Sequence, residues 1–167
     1  QSGMTERMSV NTGGAQGDGY SHYPSISADG RFVAFHADST NLVPGDTNGA
    51  EDVFVHDRQS GTTERVSLAT GGAQGNANSH YPSISADGRF VAFWSYATNL
   101  VAGDTSGAAD VFVRDRQSGT TERVSVATGG AQGNANSCSL SISSDGRFVA
   151  FVSDASNLIA GDTNPTA

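Results

Sequence analysis

"YPSISADGRFVAF" at residues 23–35 returns unchanged at 81–93 and once more, altered to "SLSISSDGRFVAF", at 139–151. Tyr23, Ser25 and Ser27 alternate with Pro24, Ile26 and Ala28, the two-residue period of a half-buried strand. Asp29-Gly30 is a tight-turn pair whose glycine tolerates positive φ. Phe32 to Phe35 is apolar on both faces, as a strand lying between two layers must be. Two strands and a turn, written three times, are a building part rather than an active-site signature.

Working outward, "QSG" begins at 1, 59 and 117, so the whole chain follows a 58-residue period. Repeats 1–58 and 59–116 align without gaps. The third, 117–167, stops before the counterpart of "DVFVHDR" (52–58) and "DVFVRDR" (110–116), and so lacks its third strand. Each period reads as four short strands: "YPSISA", "RFVAF", "DVFVHD" and "TTERVSL". Long polar loops separate the second strand from the third (39–51) and the fourth from the next copy. Nothing sustains a helical period, which predicts an all-β chain of four-stranded antiparallel β-propeller blades. The sequence supplies a strand at 5–10, two complete blades and a strand pair within 139–152. About three blades make half of a six-bladed ring. Self-association is therefore expected, either as a closed ring of copies or as an open fibre.

Composition narrows the partners. Net charge is −8, and all nine basic residues are Arg. Such a chain has no basic face with which to neutralise phosphates, which argues against nucleic acid and anionic lipid surfaces. No apolar run approaches a membrane span, so no membrane insertion is expected. The single cysteine, Cys138, excludes an internal disulfide. A first residue of Gln rather than Met suggests a mature, excised or incomplete chain.

These motifs resemble the TolB-type β-propeller repeat, related to WD-repeat blades. Its Pro-x-x-Ser-x-Asp-Gly turn is matched by Pro24, Ser27, Asp29 and Gly30. Its strand motifs are matched by Val33-Ala34-Phe35 and by Asp52-Val53-Phe54-Val55 with Asp57. The third copy departs, with Leu140 for Pro and Ser144 for Ala. The resemblance implies six blades, a periplasmic or extracellular location, and in some members a gating role beside a peptidase. It does not fix function.

No catalytic constellation is legible. Three of the four Glu, at 6, 64 and 122, share one repeat position beside an Arg; the fourth is Glu51. If the Q-S-G turn is a three-residue loop, Glu122 lies across from Arg114 as an ordinary charge pair. The chain therefore reads as a non-enzymatic scaffold or binding module. The alternatives are the gating or substrate-binding portion of a larger secreted hydrolase, or a lectin-like propeller for a small ligand. The loop "GDTNGAED" offers Asp46, Asn48 and Asp52 as hard oxygen ligands for calcium. The second copy offers Asp104 and Asp110, with Ser106 as a weaker donor. Asx-turns without an ion fit the same residues. Both long loops should emerge on one face, where the copies also disagree. His22, Tyr23, His80 and Tyr81 lead into the innermost strands there. With Trp94 and Tyr96 they form a candidate glycan or peptide site.

Overall fold

The computed structural model describes residues 3–162, and its strands are all antiparallel. Strands β1 (Ser21–Ile26), β2 (Phe32–Ala37), β3 (Asp52–Asp57) and β4 (Thr62–Arg65) form the first sheet in chain order. Strands β5 (Ser79–Ile84), β6 (Phe90–Ser95), β7 (Asp110–Asp115) and β8 (Thr120–Arg123) repeat it. Strands β9 (Ser137–Ile142) and β10 (Val149–Ser153) pair as the start of a third. This up-and-down order puts the β1–β2 and β3–β4 turns at one end of each sheet and both long loops at the other.

Polar side chains build the repeated turn. Ser27 Oγ donates to Asp29 Oδ1 at 2.6 Å and accepts the Phe32 N–H at 3.0 Å, while Asp29 also accepts the Arg31 N–H. The same set recurs at Ser85 with Asp87 and at Ser143 with Asp145. The thrice-written Ser-x-Asp-Gly is a self-bonded turn.

The sheets stack face to face. Ala34, Val53 and Val55 of the first meet Ile84, Val91, Phe93 and Phe112 of the second in one buried cluster. That explains why β2 and β3 are apolar on both faces: each face has a neighbour to cover it. Main-chain bonds step from sheet to sheet, Ala28 N–H to Ala86 O and Ala86 N–H to Ser144 O, both 2.9 Å. The Phe32 ring lies on Gly88 and the Phe90 ring on Gly146, where no side chain stands in the way.

Two expectations need correction. Residues 5–10 form no strand; within them only Val10 makes a bridge, to Gln16. The reason is that a fourth strand needs a third strand to pair with, and among the described residues none lies beside it. The segment still packs where a preceding blade's outer strand would. Thr63 Oγ1 bonds Val10 O, as Thr121 Oγ1 bonds Leu68 O one repeat later. The second correction concerns register. The β7–β8 loop holds four residues, so Asp115 faces Thr120 and Glu122 faces Val113 rather than Arg114. Asp115 sets this loop by accepting the Gln117 N–H on its carboxylate and the Gly119 N–H on its carbonyl. Arg114 turns instead to Thr121 Oγ1 and the carbonyls of Leu68 and Ala69. The repeated Glu pairs across the stack: Glu64 with Arg116 and Glu6 with Arg58.

Two strands of identical sequence report what a neighbouring sheet covers. Both β1 and β5 read SHYPSI. Ile84 in β5 is 8% exposed, while its twin Ile26 in β1 is 59% exposed. At the far end of the stack, Phe148 is 65% exposed although its twins Phe32 and Phe90 are half-buried.

Candidate functional site

The six residues expected to bind a ligand do converge. His22 and His80 are the second residues of β1 and β5, where they pair with His36 and Trp94 on the adjacent strands. From there the rings run continuously along the loop-bearing end. His36 lies 5.2 Å from His80, and His80 lies 4.5 Å from Trp94. Tyr23 and Tyr81 meet at 4.0 Å, Tyr81 stacks on Trp94 at 5.8 Å, and Tyr96 stands edge-on to Trp94 at 5.3 Å. Tyr20 extends the series by stacking on His22. The phenol rings of Tyr20, Tyr23, Tyr81 and Tyr96 are all exposed at its surface.

A backbone device aims the tyrosines. The β1–β2 register breaks between His22 and Ser25, and β5–β6 breaks between His80 and Ser83. At the breaks Tyr23 has φ of 50° and Tyr81 of 51°, left-handed values that L side chains rarely adopt. Such a bulge bends the strand and redirects the side chain. The third copy keeps the bulge, with Ser139 at φ 49°, but has lost the rings: Cys138, Ser139, Val152 and Asp154 replace His, Tyr, Trp and Tyr.

Sequence reasoning left His36 and Tyr20 out of the site, and Glu51 as well. His36 is buried, and its Nδ1 accepts the Tyr81 N–H at 3.2 Å. Burial first, then the neighbouring His80 and His22, pushes its pKa down to about 4, so it is neutral at pH 7. His80 is lowered too, by burial, with Glu51 opposing. Glu51 Oε2 sits 2.7 Å from His80 Nδ1. Its backbone is tied to the entry of β5, because Glu51 N–H bonds Asn78 Oδ1 and Glu51 O accepts the Ser79 N–H. The signal that could have found this trio is copy-specificity. Where the first blade has His36 and Glu51, the second has Trp94 and Ala109.

The residues expected to ligate calcium also converge, on a guanidinium. Arg65 Nη1 lies 3.0 Å from Asp46 Oδ1 and 2.9 Å from Asp52 Oδ2, and all three side chains are buried. Asn48 Nδ2 donates to Asp52, and Ser67 Oγ donates to its other oxygen. Burial raises the Asp46 pKa, and the Arg65 charge opposes it. In the second blade Arg123 stands in the same way between Asp104 and Asp110, with Gln132 bonding both carboxylates and Ser106. The positive charge in each acidic loop is thus an arginine of the chain.

No family model matches the chain, and no curated protein matches it. Solved structures do. TolB from Acinetobacter baumannii aligns over 83% of this chain and 27% of its own, at 20% identity and a TM-score of 0.50. A TolB-like protein from Agrobacterium tumefaciens aligns over 80% of this chain at 22% identity and a TM-score of 0.46. The propeller domain of the Trilobed protease from Pyrococcus furiosus aligns over 80% at 15% identity and a TM-score of 0.49. The chain spans about a quarter of the length of the first. Its fold is that of TolB-type β-propeller blades.

Proposed function

We propose that this chain is a non-enzymatic propeller module that completes its ring with further copies of itself. The observation that carries this reading is the pair of unequal twins, Ile84 against Ile26 and Phe90 against Phe148. The exposed surface at one end of the stack is what covers a blade inside it, and the exposed surface at the other end is what gets covered. Gly30 stands open for the Phe148 of a second copy, as Gly88 and Gly146 stand open for Phe32 and Phe90. A groove of about 250 Å³ along the open side of β1, lined by Met8, Ser21, Pro24, Val33 and Phe35, could take side chains of a facing sheet. Two copies joined at both ends close six blades. Native mass spectrometry and sedimentation velocity test this directly. A discrete dimer, or a longer open series, supports the reading, and Phe148→Asp should return it to monomer. A monomeric wild-type chain at high micromolar concentration overturns it.

The exposed Tyr faces favour a second role for the same module, as a binder of glycans or aromatic-reading peptides at the loop-bearing end. Flat rings presented on a rigid scaffold suit apolar sugar faces. Trp94→Ala with His80→Ala should abolish glycan-array signal while leaving the melting curve cooperative. Binding unchanged in that double variant would dismiss the site. We take the module to act in the periplasm or outside the cell, as the TolB-type resemblance implies.

A further inference from the structure

His36, Glu51 and His80 meet at the seam between the first two sheets, and each comes from a different segment. His36 is on β2, Glu51 immediately precedes β3, and His80 is on β5. One donor atom from each lies within 4.8 Å of the others. Two imidazoles, which are borderline ligands, outnumber one hard carboxylate here. They suit zinc and its first-row neighbours rather than calcium, which takes oxygen donors in greater number. Two of the three ligands are held before any ion arrives: His36 is packed between sheets, and the Glu51 main chain is clamped to the start of β5 by hydrogen bonds to Asn78 Oδ1 and from the Ser79 N–H.

The repeat makes the convergence informative. Only Glu51 falls outside the repeated Glu position. His36 also has no histidine counterpart in the other copies, where Trp94 and Val152 stand. At the next seam the three positions hold Trp94, Ala109 and Cys138, a set without the two imidazoles and the carboxylate. Residues that break a near-perfect repeat have no shared role in the blade. Two such residues nevertheless meet the one shared histidine, at a single place.

We propose that His36, Glu51 and His80 bind one divalent cation of the zinc, cobalt, nickel or copper class, with a fourth position left to water or an exogenous donor. The cation takes the place of the proton between His80 Nδ1 and Glu51 Oε2. Their 2.7 Å separation must widen to about 3.3 Å, the edge of a tetrahedron with metal–ligand bonds near 2.0–2.1 Å. Glu51 can give that much, because its side chain is one-third exposed. A neutral imidazole has one lone pair, so Tyr81 N–H loses His36 as its acceptor when the ion binds. Loading therefore reaches the Tyr81 bulge, and through it the aromatic surface.

Trp94 is the only tryptophan and its ring lies 4.5 Å from His80, which gives the site its own reporter. Chelator-treated protein is titrated with cobalt(II), following tryptophan quenching and the visible absorption of the ion, then back-titrated with zinc(II). The expected result is saturation at one equivalent, reversal by zinc and no response to calcium. His36→Gln, Glu51→Ala and His80→Gln should each weaken binding by at least about tenfold, since even supporting residues of metal sites cost that much. Glu51→Ala installs the residue that the second blade already has at this place, so the fold survives the change. The Tyr81 amide resonance should move on loading with diamagnetic zinc. Absence of saturable quenching in the wild type overturns the proposal. So does binding that persists unchanged in the three variants, which would assign the ion to surface carboxylates.

Discussion

Gly30 and Gly88 are the same turn glycine in successive copies, with φ of +72° and +74°, yet alanine should cost very different amounts at the two places. The left-handed backbone penalises either alanine by roughly 1–2 kcal/mol. The reduced freedom of the unfolded chain returns roughly 0.4–1 kcal/mol. The net local cost is therefore about 1 kcal/mol at both. At Gly30 the nearest atom to the new Cβ is Arg58 Nη1 at 3.7 Å, an ordinary contact, and nothing more is added. At Gly88 the Cβ would run into the Phe32 ring, whose Cγ would lie only 2.7 Å away. That ring cannot swing aside freely, because Arg31 and Arg116 guanidinium groups stand over it at 4.6 and 4.4 Å. Overpacking of this kind adds roughly 1–3 kcal/mol. Urea unfolding at low protein concentration should then show Gly88→Ala destabilised by about 2–4 kcal/mol and Gly30→Ala by about 1 kcal/mol. At high concentration the order of effects changes. Gly30→Ala should weaken self-association seen by sedimentation, because a second copy's Phe148 would meet the new methyl. Equal losses of stability at the two glycines would refute the stacking argument, whatever the fold.

Three further outcomes follow from the charges. Asp57 and Asp115 accept bidentate hydrogen bonds from Arg31 and Arg89, which hold both carboxyls well below the usual range. A depressed carboxyl stabilises the fold above its unfolded pKa near 3.8 and loses that contribution as pH falls below it. Acid unfolding monitored by circular dichroism should therefore set in below about pH 4, and Asp57→Asn should remove about 1–2 kcal/mol at neutral pH and flatten that acid limb. The melting temperature should be the same in millimolar calcium and in chelator, because Arg65 already supplies the charge between Asp46 and Asp52. A calcium-dependent rise would show that the ion displaces the guanidinium. Arg65→Ala should cost about 3–5 kcal/mol by leaving buried carboxylates unpaired, and calcium should restore part of that loss. Calorimetry in both buffers measures it.

What was legible in the sequence was whatever the chain writes locally and repeatedly. Alternation in "YPSISA", two-sided apolarity in "RFVAF" and the Ser-x-Asp-Gly turn each specify an element within about a dozen residues, and these gave the blades. The register of β7 against β8 was not legible. It depends on whether Asp115 closes a three- or four-residue loop, and one residue moves Glu122 to the opposite face. The Glu64–Arg116 pair spans 52 residues and two sheets, a distance no local pattern reports. That His22, Tyr23, His80, Tyr81, Trp94 and Tyr96 lie together could be read from their places beside the long loops and at the entry to the inner strands. His36 and Glu51 were missed because one is buried and the other lies in a polar loop, and only the stacking of sheets brings them together. For the acidic loops, three oxygens in eight residues could be read. The arginine that answers them arrives from β4, outside that window.

The amide step from Ala28 to Ala86 to Ser144 always runs one way, each sheet donating to the next and accepting from the one before. If copies join as proposed, their joining is polar, like couplings on a train, with a distinct leading and trailing end. A copy damaged at one end alone keeps a working coupling at the other. Added to intact copies, a Phe148→Asp chain would still receive a partner's trailing face on its own β1 and then offer nothing in return. It would end a growing series or spoil a ring. On the proposed assembly, such a variant should poison joining at substoichiometric amounts, whereas a variant spoiled at both ends should be merely inert.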